Sequence, residues 1–187
     1  MSPILGIYAS SQQTSKLSNY YSISTATVTS GGTASITFSS IPSTYTHLQL
    51  RWFSTKNTTD FDVVDFNGNS TQTNYASHLL EGTGAAAQSS SQIYPSATTS
   101  GVFGHYYSSG STYFVSSIMD ILDYTNTNKY KTTRLLHGQD MNGSGYLGLY
   151  SGLFMNTAAI TSITIYANPA LGGAFNQYSS FALYGVK

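Results

Sequence analysis

Residues 119–138 read MDILDYTNTNKYKTTRLLHG. Two runs of strand character, SIMDILDY and YKTTRLLHG, flank the polar stretch TNTNK, a loop length that antiparallel hairpins use. Placing residues opposite one another so that their numbers sum to 254 sets Asp120 against Arg134 and Asp123 against Lys131. The same register sets Tyr124 against Tyr130, Met119 against Leu135 and Ile118 against Leu136. Cross-strand ion pairs contribute roughly 0.2–1 kcal/mol each. Their larger value is register, because a slip of one residue turns every side chain to the other face. The chain has only 7 basic and 7 acidic side chains, and this stretch concentrates five of them. A charge-registered hairpin explains that concentration better than a catalytic site, since carboxylates spaced along strands without a cleft are a weak signal of chemistry.

Outward from the hairpin the dominant period is two. TASITF aligns Ala34, Ile36 and Phe38; THLQLRWF aligns Leu48, Leu50 and Trp52 opposite His47, Gln49 and Arg51. Ile163 with Ile165, and Phe181 with Leu183, share faces in the same way. β-Branched and aromatic residues fill these runs, as half-buried strands prefer. Turn signals punctuate them: Ser30-Gly31-Gly32, Ile41-Pro42-Ser43, Asn67-Gly68 and Asn142-Gly143-Ser144-Gly145. Asn-Gly is suited to a two-residue hairpin turn with both residues at positive φ. Short strands at this spacing predict an all-β fold, an antiparallel β-sandwich of jelly-roll type, with no amphipathic helix. Residues 82–100 are small and polar and read as a long loop. Residues 1–20 read as an extended N-terminal arm whose apolar end is Ile4, Leu5, Ile7 and Tyr8, and residues 21–187 as one sandwich domain.

Composition narrows the function. The net charge is zero and 7% of residues are charged, which argues against nucleic acid and against a polybasic membrane patch. The absence of cysteine removes disulfides, thiolate metal sites and cysteine nucleophiles. No apolar run is long enough to span a membrane, and the opening residues lack the pattern of a secretory signal. A weakly charged, hydroxyl-rich surface suits a protein largely covered by neighbours.

No residue set points to catalysis, a cofactor or a metal. Asp60, Asp62 and Asp65 beside Asn67 and Asn69 offer hard oxygen ligands of the kind calcium takes. The spacing fails at the positions where a calcium loop has its glycine and its final glutamate, occupied here by Ser70 and Ala76. The simpler reading is a strand ending in an Asn-Gly turn with exposed Asp side chains. The four histidines, His47, His78, His105 and His137, make no paired zinc spacing. No GxSxG elbow is present. Glu81 is the only glutamate, so the paired carboxylates of a polysaccharide depolymerase are not evident. Among the 16 tyrosines, most are expected in sheet packing. Tyr94, Tyr106 and Tyr107, near loops, are the candidates for an exposed contact surface, since tyrosine joins a rigid apolar face to a polar tip.

SPILGIYASS, IPSTYTHLQLR, FNGNSTQTNYASH, DILDYTNTNKYKTTR, NGSG followed by SGLFMNTAAITSITI, and the closing FNQYSSFALYGVK form one ordered series. Across nearly its whole length the chain resembles small virion structural proteins of tailed bacteriophages. The resemblance implies a non-enzymatic sandwich built into the particle as a symmetric oligomer, assembled in the host cytoplasm. It supplies no catalytic residue. The expectation is a tail fibre, baseplate or appendage module, a homotrimer that contacts other virion proteins and a host-surface glycan. Its arm would pack on a neighbour. The alternative is a capsid decoration or head-fibre protein.

Overall fold

In the computed structural model, residues 19–92, 101–107, 112–168 and 171–187 are described. The arm residues Ile4, Leu5, Ile7 and Tyr8, and Tyr94, lie outside them. Twelve strands form two sheets, and no α-helix occurs among the described residues. The eight-stranded sheet runs, edge to edge, β1 (Tyr20–Thr27), β12 (Ser180–Val186), β3 (His47–Ser54), β8 (Val115–Leu122), β9 (Lys131–Asp140), β10 (Gly145–Phe154), β5 (Tyr75–Gly82) and β6 (Ala87–Gln92). The four-stranded sheet runs β2 (Ser35–Phe38), β11 (Ile163–Tyr166), β4 (Asp60–Phe66) and β7 (Val102–Tyr107). Every pairing is antiparallel.

Period-two alternation sends Leu48, Leu50, Trp52, Met119, Ile121, Leu135, Phe181 and Leu183 of the large sheet into the core. Phe38, Val64, Phe66, Val102, Ile163 and Ile165 of the small sheet meet them in the same cluster. The result is the sandwich-like, all-β architecture that the alternation of the sequence implies. Strand β10 departs from the simple pattern. Its inward residues are Gly148, Tyr150, Gly152 and Phe154, and its outward ones include Leu147 and Leu149. A Cβ at Gly152 would lie 2.6 Å from Val102 Cγ1, and one at Gly148 would lie 2.1 Å from His137 Nε2. Both glycines therefore make room for side chains of neighbouring strands.

Three sequence expectations change here. Asn67 and Gly68 do adopt positive φ (59° and 62°), and Asn69 N–H donates to Phe66 O. They do not join a hairpin, because β4 and β5 belong to different sheets; the turn carries the chain from one layer to the other. Residues 82–100 are not one loop. β5 and β6 form a hairpin around Thr83–Ala86, with Glu81 opposite Gln88. Its outward serines and glutamine are polar because β6 is a solvated edge, which made it look like a loop. The arm boundary also moves, since Tyr20 already pairs with Val186.

Strands β8 and β9 are paired from Ser116↔Gly138 to Leu122↔Thr132, which is the sum-254 register. Arg134 Nη2 donates to Asp120 Oδ2 at 3.2 Å. Asp123 and Lys131 do not pair, contrary to the sequence expectation. Asp123 has φ 47°, so the chain leaves the pleat one residue before the partner position and the ladder ends. Its carboxylate is engaged by Lys129, and His47 Nδ1 lies 3.3 Å away. The bond from Lys129 holds the Asp123 carboxyl below the usual range, against a smaller opposing effect of desolvation. Lys131 occupies an inward position and is fully buried. Its ammonium donates to the carbonyls of Asn126 (2.5 Å), Thr157 (3.0 Å) and Lys129 (3.1 Å), so it clasps the loop over residues 123–130. Burial, and secondarily Lys129, lowers its pKa. Tyr124 and Tyr130 also part company: Tyr124 is buried with its hydroxyl donating to Pro42 O, while Tyr130 is exposed.

This difference has a measurable consequence. Lys131→Met is expected to lower unfolding free energy by about 1.5–3 kcal/mol, because three loop carbonyls lose a charged donor at bonds that are partly buried. Asp123→Asn is expected to cost under about 1 kcal/mol, as half-exposed pairs do. Urea unfolding of both variants checks the ordering; a larger cost for Asp123→Asn would restore the ion-pair register.

Candidate functional site

The register assembles two rows of side chains on the large sheet, one on each face. The inner row runs Ala26, Phe181, Trp52, Ser117, His137, Gly148, Glu81, Gln88 across all eight strands. Small-sheet residues Asp62 and His105, with Lys56 from the segment before β4, face this row. They convert its middle into a buried polar network.

Asp62 is its centre and has no exposed surface. Its Oδ1 accepts from Lys56 Nζ at 3.1 Å, and its Oδ2 accepts from Trp52 Nε1 at 3.2 Å. His105 Nε2 lies 3.5 Å from Oδ2, which favours the tautomer with the proton on Nε2. Nδ1 is then left to accept the hydroxyl of Ser117 at 2.5 Å. Trp52 and His137 stack on His105 with ring centroids 5.5 and 5.8 Å away. His137 meets Tyr150 edge-on at 4.7 Å. The Tyr150 hydroxyl donates to Glu81 Oε1, whose other oxygen accepts from Gln88 at 3.0 Å.

Ser117, His105 and Asp62 are the residue types of a serine-nucleophile triad, in contact and in order. Their burial decides against that chemistry. Ser117 is 2% exposed and the other two 0%, so a substrate carbonyl has no approach to the hydroxyl. A cavity lined by Arg51, Phe53, Ser116 and Ile118 also counts Ser117 in its lining, while the Ser117 hydroxyl is turned inward to His105. The network is architecture: the buried Lys56–Asp62 ion pair and the bonds of Trp52 and Ser117 tie the two layers together, while both ring nitrogens of His137 are buried with no hydrogen-bond partner among the described residues.

Burial also sets the electrostatics. Desolvation holds His105 well below its ordinary value, with His137 and Lys56 adding to the effect. Desolvation lowers His137 to about 4. Both imidazoles are thus neutral in the fold. Asp65, next along β4, goes the other way: burial raises it to about 6, partly offset by bonds from Gly68, Tyr75 and Asn69.

The expected exposed Asp side chains of residues 60–70 are therefore corrected. Asp62 and Asp65 are buried, at 0% and 3% exposure. Asn67 is used internally, donating to Ala159 O and accepting from Thr161 N–H, and Asn69 Oδ1 accepts from Thr71 N–H. Among the described residues no group of three acidic or histidine side chains is arranged to hold a metal. Tyr106 and Tyr107 lie in strand β7 opposite Phe61 and Asp60, not in a loop; their side chains lie outside the described residues. The sequence reading missed the meeting of His105 and His137. One signal was present, since Ser117 and His137 also sum to 254 and so share a ladder row.

The outer face of the large sheet carries the second row: Thr25, Ala182, Arg51, Ile118, Leu136, Leu149, Leu80, Ser89. Ile118, Leu136, Leu149 and Leu80 are consecutive across four central strands and 42–54% exposed. Leu147 (63%) and Phe53 (49%) flank them on the row Phe53, Ser116, Gly138, Leu147, Gly82, Ala87. On the other side runs the polar row Gln49, Asp120, Arg134, Ser151, His78, Ser91. Its charges are internally satisfied, because Gln49 Nε2 donates to Asp120 Oδ1 at 2.8 Å and Arg51 Nε to Gln49 Oε1 at 2.6 Å. The Arg51 guanidinium also lies over the rings of Tyr184 and Tyr20.

No family model matches this chain, and comparison with curated proteins finds no relative.

Two outcomes test the inner network. Asp62→Ala is expected to destabilise by about 3–5 kcal/mol, because it leaves the Lys56 charge buried and unpaired; thermal or urea unfolding measures it. The fold is also expected to weaken as pH falls from about 6.5 towards 4. In that window the unfolded chain protonates both imidazoles while the folded core keeps them neutral, so unfolding takes up protons. Asp65 opposes this between 6 and 3.8, since there the folded state holds the proton. Asp65→Asn should therefore steepen the acid loss and His137→Gln should flatten it; stability curves at successive pH values separate the two.

Proposed function

We propose that the chain is a non-enzymatic structural protein of a tailed-bacteriophage particle, a tail fibre, baseplate or appendage module whose role is assembly. The observation that carries the reading is the outer face of the large sheet. A solvated antiparallel face normally presents polar residues, whereas this one presents a contiguous apolar row at the centre of the sheet, and large patches of that kind mark contact surfaces. The ordered series of motifs supplies the particle. The burial of Ser117, His105 and Asp62 supports a non-catalytic role. We read the sandwich as jelly-roll type, because the chain alternates between the large and small sheets through its first five strands. The N-terminal arm, with its apolar Ile4, Leu5, Ile7 and Tyr8, is read as a further contact to a neighbouring virion protein.

Averaged electron microscopy of intact particles tests this reading. Density for the chain at the tail or baseplate, in register with the tail symmetry, is the expected result. Density repeated over the icosahedral shell makes it a decoration or head-fibre protein. Absence of the chain from purified particles overturns the virion assignment altogether.

A further inference from the structure

We infer that the outer face of the large sheet is a self-complementary contact with a second copy of the chain, about a two-fold axis parallel to the strands between β9 and β10. The inference rests on the reading of the chain as an assembly subunit, adds the partner and the geometry, and replaces the homotrimer expected from the sequence with a two-fold contact. A two-fold axis in that place keeps each row in line with itself and exchanges β9 with β10, β8 with β5 and β3 with β6. The consequences follow from the register alone.

In the apolar row, Leu136 meets the second copy's Leu149 and Ile118 meets its Leu80. In the flanking row, Leu147 meets Gly138 and Phe53 meets Ala87, large against small. Leu147 is the most exposed leucine of the chain's described residues. It stands beside an open cleft of about 550 Å³ lined by Gly82, Gly138, Asp140, Gly145 and Leu147 itself, with Leu147 Cδ1 of the same chain 3.6 Å from where a Cβ on Gly138 would lie. In the polar row, Asp120 meets His78, and Arg134 meets Ser151, so no like charges oppose. Arg51 meets Ser89. Every large apolar side chain on the face finds an apolar or small partner, and the one carboxylate of the three rows finds an imidazole. A different axis loses this. A two-fold along the rows instead sets the polar row with Asp120 and Arg134 against the row of Leu147.

Six strands about 4.8 Å apart and three rows about 6.6 Å apart give a face of roughly 570 Å² in projection, before side-chain relief is added, which puts the contact at the small end of specific interfaces. A stable interface takes about 800 Å² per partner. Three charged residues lie on these rows, and Asp120–Arg134 and Arg51 with its tyrosines are already satisfied within the chain, which limits the desolvation cost of association.

The test uses the full chain in solution, by light scattering after gel filtration, with variants and a cross-link. The expected mass is a dimer or an even multiple of the monomer, halved by Leu136→Lys and unchanged by Leu171→Lys, an exposed leucine off this face. Because the chain has no cysteine, the double variant Ile118→Cys, Leu80→Cys reports the geometry. Within one chain these positions are three strands, about 14 Å, apart, whereas facing sheets lie about 10 Å apart with their side chains interdigitated. A bis-maleimide too short for the in-chain distance should give covalent dimers. A wild-type monomer or trimer overturns the inference, including a monomer whose stripe is covered by its own N-terminal arm. So does an oligomer that Leu136→Lys leaves intact. Far-ultraviolet circular dichroism confirms that Leu136→Lys remains folded. A dimer with these properties that is missing from particles would sink the virion reading and leave the contact standing; a monomer found on particles would do the reverse.

Discussion

The ladder of β3, β8, β9, β10 and β5 is the constraint on which the rest depends. Once Asp120 stands opposite Arg134, the pleat fixes the facing of every other residue in those five strands. The same register that lines up Trp52, Ser117, His137, Gly148 and Glu81 inside lines up Arg51, Ile118, Leu136, Leu149 and Leu80 outside. A slip of one residue would turn His137 outward and Arg134 inward. The surface charges contribute little energy individually, and their position matters more than their strength.

Within that frame the core has an unusual division of labour. Apolar packing and a polar network centred on Asp62 share the space between the two sheets. Such a network is a poor source of net stability, because two charges must leave water. It ties the two sheets to each other, since Trp52 of the large sheet and Lys56 both bond to Asp62 of the small one. The inversion in β10 belongs to the same economy of space. Glycines inside make room for the His137 ring and for Val102, and the leucines of the strand are left for the outer surface.

That displacement connects architecture to function. A strand with leucines outward and glycines inward is ill suited to a solitary protein and well suited to one that is half of a larger packing. The outer face combines exposed apolar side chains with charges already engaged within the chain, features found at contact surfaces.

How much of this was legible in the chain follows from the range of each interaction. The period-two pattern, the β8–β9 register and the turn at residues 142–145 depend on neighbours in sequence or on one hairpin, and reading the residues recovers them. The doublets Ile118-Met119, Leu135-Leu136 and Leu79-Leu80 even state that one leucine or isoleucine of each pair must face outward. What sequence alone left undecided required the order of strands. Asp123 and Lys131 looked like a pair because both charges fit the ladder, but backbone φ at Asp123 ends the ladder first and the carbonyls of Asn126, Lys129 and Thr157 take the ammonium. Asp62, His105, Lys56 and Ser117 are brought together only when the small sheet closes over the large one. The sequence by itself determined which residues alternate; the tertiary structure decided which face is the inside, because that depends on which strands become neighbours and what the opposing layer presents to them.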